Sequence, residues 1–273
     1  MKILAKTAKT VFFVIACSWL TAFCVMAACW TIRLYGGYLN EYINLLITAF
    51  IISLCGFTAI TAVYYLFLNL SRCKRQKLLK ENGYNDKYYS YLERRAQKSK
   101  RTGKMFDRNL LLAEELIDGE RFDRAEEVLE NAQTLSNTKF RRARLCAVYL
   151  KLYSMSRQEN LAGEYFAALC SSATPYFEKR GVGGEIAYSA ALYYFLTQDY
   201  IKAREQAQKA VKLSAGTKKN ADAELFLALC LLKNEEYAEA KRVTEKASGK
   251  VFTPLQIKDL KSLMTAVEEA YGL

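Results

Sequence analysis

The sequence of 273 residues contains no histidine, and this absence limits the chemistry that it can support. Without an imidazole base, Ser-His-Asp and Cys-His catalytic groups are excluded. Zinc sites built on histidine are excluded for the same reason, and none of the eight cysteines forms a C-x-x-C pair. The one glycine-rich loop, RGVGGE at residues 180–185, lacks the Lys-Ser/Thr ending of a phosphate-binding loop. We therefore expect a protein that is not an enzyme and that has no cofactor and no bound metal.

Charged residues are absent from two long apolar runs, Val11–Ile32 and Ile43–Leu70. Each run is at least as long as the ~20 residues that an α-helix needs to cross the hydrocarbon of a bilayer. The sequence therefore predicts two transmembrane helices, at about residues 11–32 and 43–66, within a membrane anchor formed by residues 1–70.

The net charge of +12 is concentrated beside these runs. Residues 1–30 carry +3 and residues 71–108 carry +9, whereas residues 31–70 and 109–273 each sum to zero. Because positively charged flanks remain on the cytoplasmic side of a membrane, both termini are predicted to be cytoplasmic. The expected location is the cell membrane, as a protein with two spans, and the expected source is a bacterium.

An alternative interpretation of the first run stays open. The stretch MKILAKTAKTVFFVIACSWLTAFCVMAACW has the basic start and the apolar centre of a secretory signal. Its VMAAC ending also resembles a bacterial lipoprotein signal, in which Cys29 would be lipidated. The uncleaved span is favoured because the apolar centre, at about 22 residues, is longer than the 7–15 residues usual for a signal.

Residues 71–105 form a basic segment that we expect to be a partly helical linker. One alternative to a linker stays open. In KYYSYLERRAQ tyrosines are interleaved with basic residues, and basic and aromatic residues together also bind single-stranded nucleic acid. The adjoining apolar run makes the bilayer the preferred partner and nucleic acid the weaker alternative. Five cations that directly follow the second run are predicted to lie on anionic headgroups: Arg72, Lys74, Arg75, Lys77 and Lys80.

Residues 106–273 contain an internal repeat. Phe122–Leu135 and Tyr200–Leu213 share an aromatic residue followed by alanine at +3, a small or aliphatic residue at +7, alanine at +10 and leucine at +13. Tyr237–Ala247 follows the same pattern through +10. Spacings of three and four residues place these positions on one face of a helix. Another helix is predicted before each of these, and the 78 residues from Phe122 to Tyr200 leave room for one further, degenerate pair.

This pattern resembles the second-helix signature of the tetratricopeptide repeat family, above all at Tyr200-Ala203-Ala207-Ala210. The usual tryptophan of the first helix and the usual proline after the second helix are absent. The resemblance implies an all-α fold, a TPR-like α-solenoid of about four helix pairs that is closed by a capping helix, PLQIKDLKSLMTAVEEAYGL. A transmembrane helical hairpin is expected to precede this solenoid. An ordinary helical bundle is the alternative.

The resemblance also implies a concave groove lined by the first helix of each pair. Aromatic side chains on such a surface suit a peptide or a helix of a partner protein. The expected function is a membrane-anchored protein-protein interaction module, acting as a scaffold or adaptor. The alternative is a non-catalytic subunit of a membrane complex that assembles through its two spans. Eight residues are expected, by position, to line the partner-binding groove: Tyr149, Tyr153, Tyr188, Leu192, Phe195, Asp222, Leu225 and Leu229.

Overall fold

The computed structural model divides the chain into two compact units, Met1–Gln76 and Lys77–Leu273. It describes residues 74–99, 101–215, 219–251 and 253–270, together with the single positions Thr48, Gly56 and Ala59. Both runs predicted to span the membrane lie outside the described residues apart from those single positions, and so do Cys29 and Arg72. In the part of the chain that is described, no helix is both long enough and apolar enough to cross a bilayer.

The second unit is built from α-helices, and its described residues contain no strand. Residues 77–82 are helical, and a short 3-10 helix, Thr174–Tyr176, follows the fifth of the helices named below. The helices are α1 (Asp86–Gln97), α2 (Thr102–Asp118), α3 (Phe122–Gln133), α4 (Lys139–Met155), α5 (Glu159–Ala173), α6 (Val182–Leu196), α7 (Tyr200–Ser214), α8 (Asn220–Lys233), α9 (Tyr237–Ser248) and α10 (Pro254–Ala270).

The helices pack as consecutive antiparallel pairs. Within a pair, α2 packs on α3, α4 on α5, α6 on α7 and α8 on α9. The second helix of each pair also contacts the first helix of the next, and the first helices contact one another from α2 to α4 and from α4 to α6. The last helix, α10, packs on both α8 and α9. The predicted all-α class is confirmed, and the second unit is a repeat-like helical domain.

The four turns within the pairs have the same backbone conformation. Each contains one non-glycine residue at a φ near +60°, two residues after the first helix ends: Glu120, Arg157, Gln198 and Glu235. In each turn the N–H of the following residue donates to a carbonyl five residues back, as from Arg121 to Leu116 at 2.8 Å. This is the Schellman arrangement, which satisfies carbonyl groups that a helix end leaves free. The α4–α5 turn has it too, so the pair whose sequence pattern is degenerate repeats the geometry of the others.

Small residues occupy most of the pattern positions of α3, α7 and α9 and are buried. Ala203, Ala207 and Ala210 of α7 are fully buried. The equivalent residues of α3 and α9 are buried as well, and Thr244 donates its hydroxyl to the Ala240 carbonyl at 2.8 Å. In α5 only the first of these positions keeps an alanine, Ala162. Small side chains at these positions allow two helices to approach closely, which explains why the alanine spacing identified three of the four pairs.

The compact unit begins well before the boundary predicted at residue 106. Tyr88, Tyr89 and Leu92 of α1 are buried in the same hydrophobic cluster as α2 and α4, as is Leu79. A methyl group at Gly119 would collide with the Tyr89 hydroxyl, which shows how closely α1 lies against the end of α2. Residues 77–99 are therefore part of the domain. The partly helical segment that the sequence predicts as a linker buries its aromatic face in the core of the domain.

We predict that Gln198→Gly stabilises the protein, because glycine relieves the left-handed strain at φ 62°. The free energy of unfolding should rise by about 0.5–1 kcal/mol. This value is the backbone strain that glycine relieves, minus the free-energy cost of the additional conformational entropy that glycine gives the unfolded chain. Urea unfolding followed by far-UV circular dichroism measures the change. A β-branched residue at the same site, Gln198→Val, should lower the stability, and a more stable valine variant would contradict the assigned turn.

Candidate functional site

One position recurs on the first helix of every pair and carries a charge each time. Asp107, Arg144, Glu185 and Asp222 each lie fifteen residues before the start of the second helix of their pair. The surface that we call the inner face consists of these four residues and the polar side chains grouped around them: Glu114, Asp118, Lys151, Lys219, Gln256 and Asp259.

Ion pairs link the inner face from one first helix to the next. Arg144 on α4 lies between Asp107 on α2, with Nη1 and Oδ1 2.5 Å apart, and Glu185 on α6, with Nε and Oε2 3.6 Å apart. Lys219, at the start of α8, places Nζ 3.1 Å from Glu185 and 2.5 Å from Glu114 on α2. The last contact brings the first and fourth pairs together. Alternating charges therefore tie α2, α4, α6 and α8 into one surface.

Lys151 lies at the centre of this surface. Its Nζ donates to Asp118 at 2.6 Å and stands 5.9 Å from the centre of the Tyr188 ring. Burial disfavours the ammonium form, but the carboxylates of Asp118 and Glu114 outweigh burial and raise the pKa of Lys151. Burial likewise opposes the charged form of Glu114, yet Lys219 and Lys151 lower its pKa below the ordinary value. Both groups are therefore charged at neutral pH.

Asp222 and Asp259 add negative charge to the inner face, and no cation of the inner face forms an ion pair with either of them. The Gln256 amide donates to Asp222 Oδ1 at 2.6 Å, and within the described ranges neither carboxylate is in an ion pair. Burial, reinforced by Asp118, raises the pKa of Asp222 to about 6. Burial also raises the pKa of Asp259, which lies 37 residues after Asp222. In the described part of the chain, no three carboxylate or cysteine groups are arranged to hold a metal ion.

The residues predicted to line a partner groove fall into two sets. Tyr149 and Tyr153 are buried and contact the ring of Tyr165 of α5, with ring centres 4.5 and 5.4 Å apart. Leu225 is also buried. These three residues therefore belong to the hydrophobic core of the domain. The other five are half-buried: Tyr188, Leu192, Phe195, Asp222 and Leu229.

Two of the half-buried residues share an aromatic contact next to the inner face. Tyr188 and Phe195 of α6 each pack edge-on against Phe226 of α8, with ring centres 5.6 and 5.4 Å apart. Aromatic rings and the charged cluster thus meet at Tyr188, whose ring also faces Lys151. Sequence reasoning missed Asp107, Arg144 and Glu185, for which the recurrence of one charged residue in each first helix was the available signal. It also missed Glu114, Lys151 and Lys219, which no recurring position identifies.

The basic segment that follows the second apolar run has exposed cations in its described part. Lys74, Lys77 and Lys80 are exposed, and Arg75 is half-buried. Of the nearby tyrosines, Tyr88 and Tyr89 have no exposed surface, and Tyr91 is half-buried and packs against the hydrophobic core. Stacking of bases requires exposed ring faces. The interleaved aromatic and basic pattern of α1 is therefore explained by packing.

No protein-family model matches the chain, and no curated protein matches it. Among solved structures, the crystal structure of BtubC (BKLC) from P. vanneervenii matches at 13% sequence identity and a TM-score of 0.41, over 93% of this chain and 92% of that one.

We predict that Asp222→Asn stabilises the protein at pH 7.5. The folded-state pKa of about 6 lies above the ordinary value of roughly 3.9, so stability is lost as the pH rises from about 3.9 to 6, and the full cost of ionisation is present above 6. The asparagine removes that cost, which we put at about 1 kcal/mol after allowing for partial exposure to solvent. The gain, measured by urea unfolding, should shrink as the pH falls through 6 and vanish near 3.5.

The matched control is Asp107→Asn at the equivalent position of α2. That carboxylate is 60% exposed and pairs with Arg144, so its loss should give no gain at pH 7.5. An equal gain from both variants, or a gain for Asp222→Asn that does not depend on pH, would contradict the assigned environment.

Proposed function

We propose that the chain is a membrane-anchored protein-protein interaction module of the tetratricopeptide type, a scaffold or adaptor. The apolar runs of residues 1–70 would supply the anchor, and the helix pairs would present the inner face to a partner on the cytoplasmic side. The stacked pairs with buried alanines support the family resemblance. We infer no catalytic role.

The observation that carries this proposal is the way in which the inner face is built. Most of its charged side chains stand on the four first helices, and several of them are fixed by ion pairs between helices, such as Arg144 with Glu185 and Lys219 with Glu114. A surface held by helices loses little conformational entropy when a partner binds. Preorganised surfaces of this kind suit recognition of a peptide or a helix.

The chemistry of the inner face indicates the kind of segment that it would accept. Asp222 and Asp259 offer carboxylates without a paired cation among the described residues, and Tyr188 offers a half-buried ring beside them. A partner segment with a lysine or arginine next to an apolar side chain would complement both features. The side chain of Lys219, 42% exposed, borders the same surface and would repel a second cation.

The alternative is that the chain is a subunit of a membrane complex assembled through its two predicted spans. Small residues in the apolar runs, Ala27, Ala28 and Gly56, would permit close helix contacts within a bilayer. In that case the partner would contact residues 1–70 and leave the inner face empty.

We predict that a photoreactive benzoylphenylalanine in place of Tyr188 forms an adduct of one discrete added mass in native membranes. The replacement keeps an aromatic side chain at a half-buried site of the inner face. Tyr237, 37% exposed at the start of α9, is the matched control, and it should give no adduct because it lies on a second helix. Denaturing gel electrophoresis followed by mass spectrometry measures the products.

Charge reversal tests the proposed chemistry in the same experiment. Asp222→Lys should remove the Tyr188 adduct while the far-UV circular dichroism stays that of a folded helical domain. Equal adducts from both tyrosines would contradict the inner face as the binding surface. A partner that co-purifies but crosslinks only from residues 1–70 would favour the membrane-complex alternative.

A further inference from the structure

Cationic side chains collect at one edge of the second unit, where the first helices begin. Arg101 and Lys104 stand at the start of α2, Lys139 and Arg142 at the start of α4, and Lys179 and Arg180 just before α6. All six are exposed. We call this set of six residues the basic edge.

Contacts between neighbouring side chains show that the basic edge is one continuous surface. The Arg141 guanidinium stands 5.6 Å from the centre of the Phe106 ring, which joins the starts of α4 and α2. Phe140 packs edge-on against Tyr176 with ring centres 5.4 Å apart, and the Lys179 ammonium lies 5.4 Å from the Phe140 ring. These contacts join the start of α4 to the segment before α6.

The positive charge of the basic edge is not neutralised by the described residues around it. None of the six cations is in an ion pair with a described carboxylate, and two acids near them in the sequence pair with other residues: Asp107 with Arg144, and Glu178 with Lys209. The opposite edge, which holds the turns within the pairs, mixes both signs, with Glu120, Arg157 and Glu235 exposed there. The field of the domain is therefore one-sided.

We propose that the basic edge lies on the anionic headgroups of a lipid bilayer. Several lysines and arginines on one exposed edge are attracted to an anionic leaflet when they come within a Debye length of it. Nucleic acid is the less suitable occupant because Phe140 and Tyr176 pack against each other and under Lys179, which leaves their faces poorly placed to stack on bases. The choice of a bilayer rests on the membrane anchor of the proposed function. The folded domain would then be held to the membrane by its own surface as well as by the spans.

The test compares full-length protein in lipid nanodiscs with and without phosphatidylglycerol. Hydrogen exchange, followed by mass spectrometry, is measured for peptides covering residues 134–142 and 174–181. Their exchange should be at least about fivefold slower in anionic discs than in neutral discs at low salt, and the difference should shrink in high salt. A peptide covering residues 233–239, on the opposite edge, should exchange at the same rate in both.

Charge-reversed variants make the comparison specific. Lys139→Glu combined with Arg142→Glu should abolish the difference between the two kinds of disc. Arg121→Glu combined with Arg157→Glu, two exposed arginines of the opposite edge, should leave it unchanged. Equal exchange of the wild type in both discs would overturn the proposal. Protection by single-stranded RNA in neutral discs, without protection by anionic lipid, would overturn it in favour of nucleic acid.

If the predicted spans do not anchor the chain, the protein will not be recovered with the discs. This outcome is distinct from equal hydrogen exchange in the two kinds of disc. Co-sedimentation with vesicles would decide the role of the basic edge in that case. Binding to phosphatidylglycerol vesicles that Lys139→Glu with Arg142→Glu removes would support the edge without the anchor. Absence of binding to those vesicles would overturn it.

Discussion

The contact between Lys219 and Glu114 joins residues 105 positions apart in the chain, and the inner face depends on it. It connects the start of α8 with α2, while the second contact of Lys219, with Glu185, connects α8 with α6. Through these contacts the charged residues of separate helix pairs form one surface.

The helix pairs reach this arrangement through repeated local chemistry. Each pair has a left-handed turn residue at the same place, and three of the four have alanines where the second helix meets the first. None of the four turn residues is a glycine, so each turn carries some backbone strain that packing within the pair must offset. Packing within each helix pair thus fixes the positions of its two helices. The ion pairs between helices then fix the positions of the helix pairs relative to one another.

The helix pairs could be predicted from the sequence because alanine and aromatic spacing within one helix is a local signal. The inner face could not be predicted in the same way. Its partners lie on different helices, as Arg144 and Glu185 do, and become neighbours only after the pairs have stacked. Tyr149 and Tyr153 were assigned to the groove because they lie on a first helix, whereas the structure turns them toward Tyr165. The sequence predicted a partly helical linker over residues 71–105, whereas the tyrosines of α1 are buried in the core of the domain.

The most direct test of this account is a double-mutant cycle between Lys219 and Glu114, with Lys219→Met and Glu114→Gln. If the contact holds the first and fourth pairs together, the two residues should show a coupling free energy of about 1 kcal/mol in urea unfolding, despite the partial exposure of Lys219. A coupling within about 0.3 kcal/mol of zero would contradict the account, because independent residues are additive to that degree. The inner face would then not be a single preformed surface.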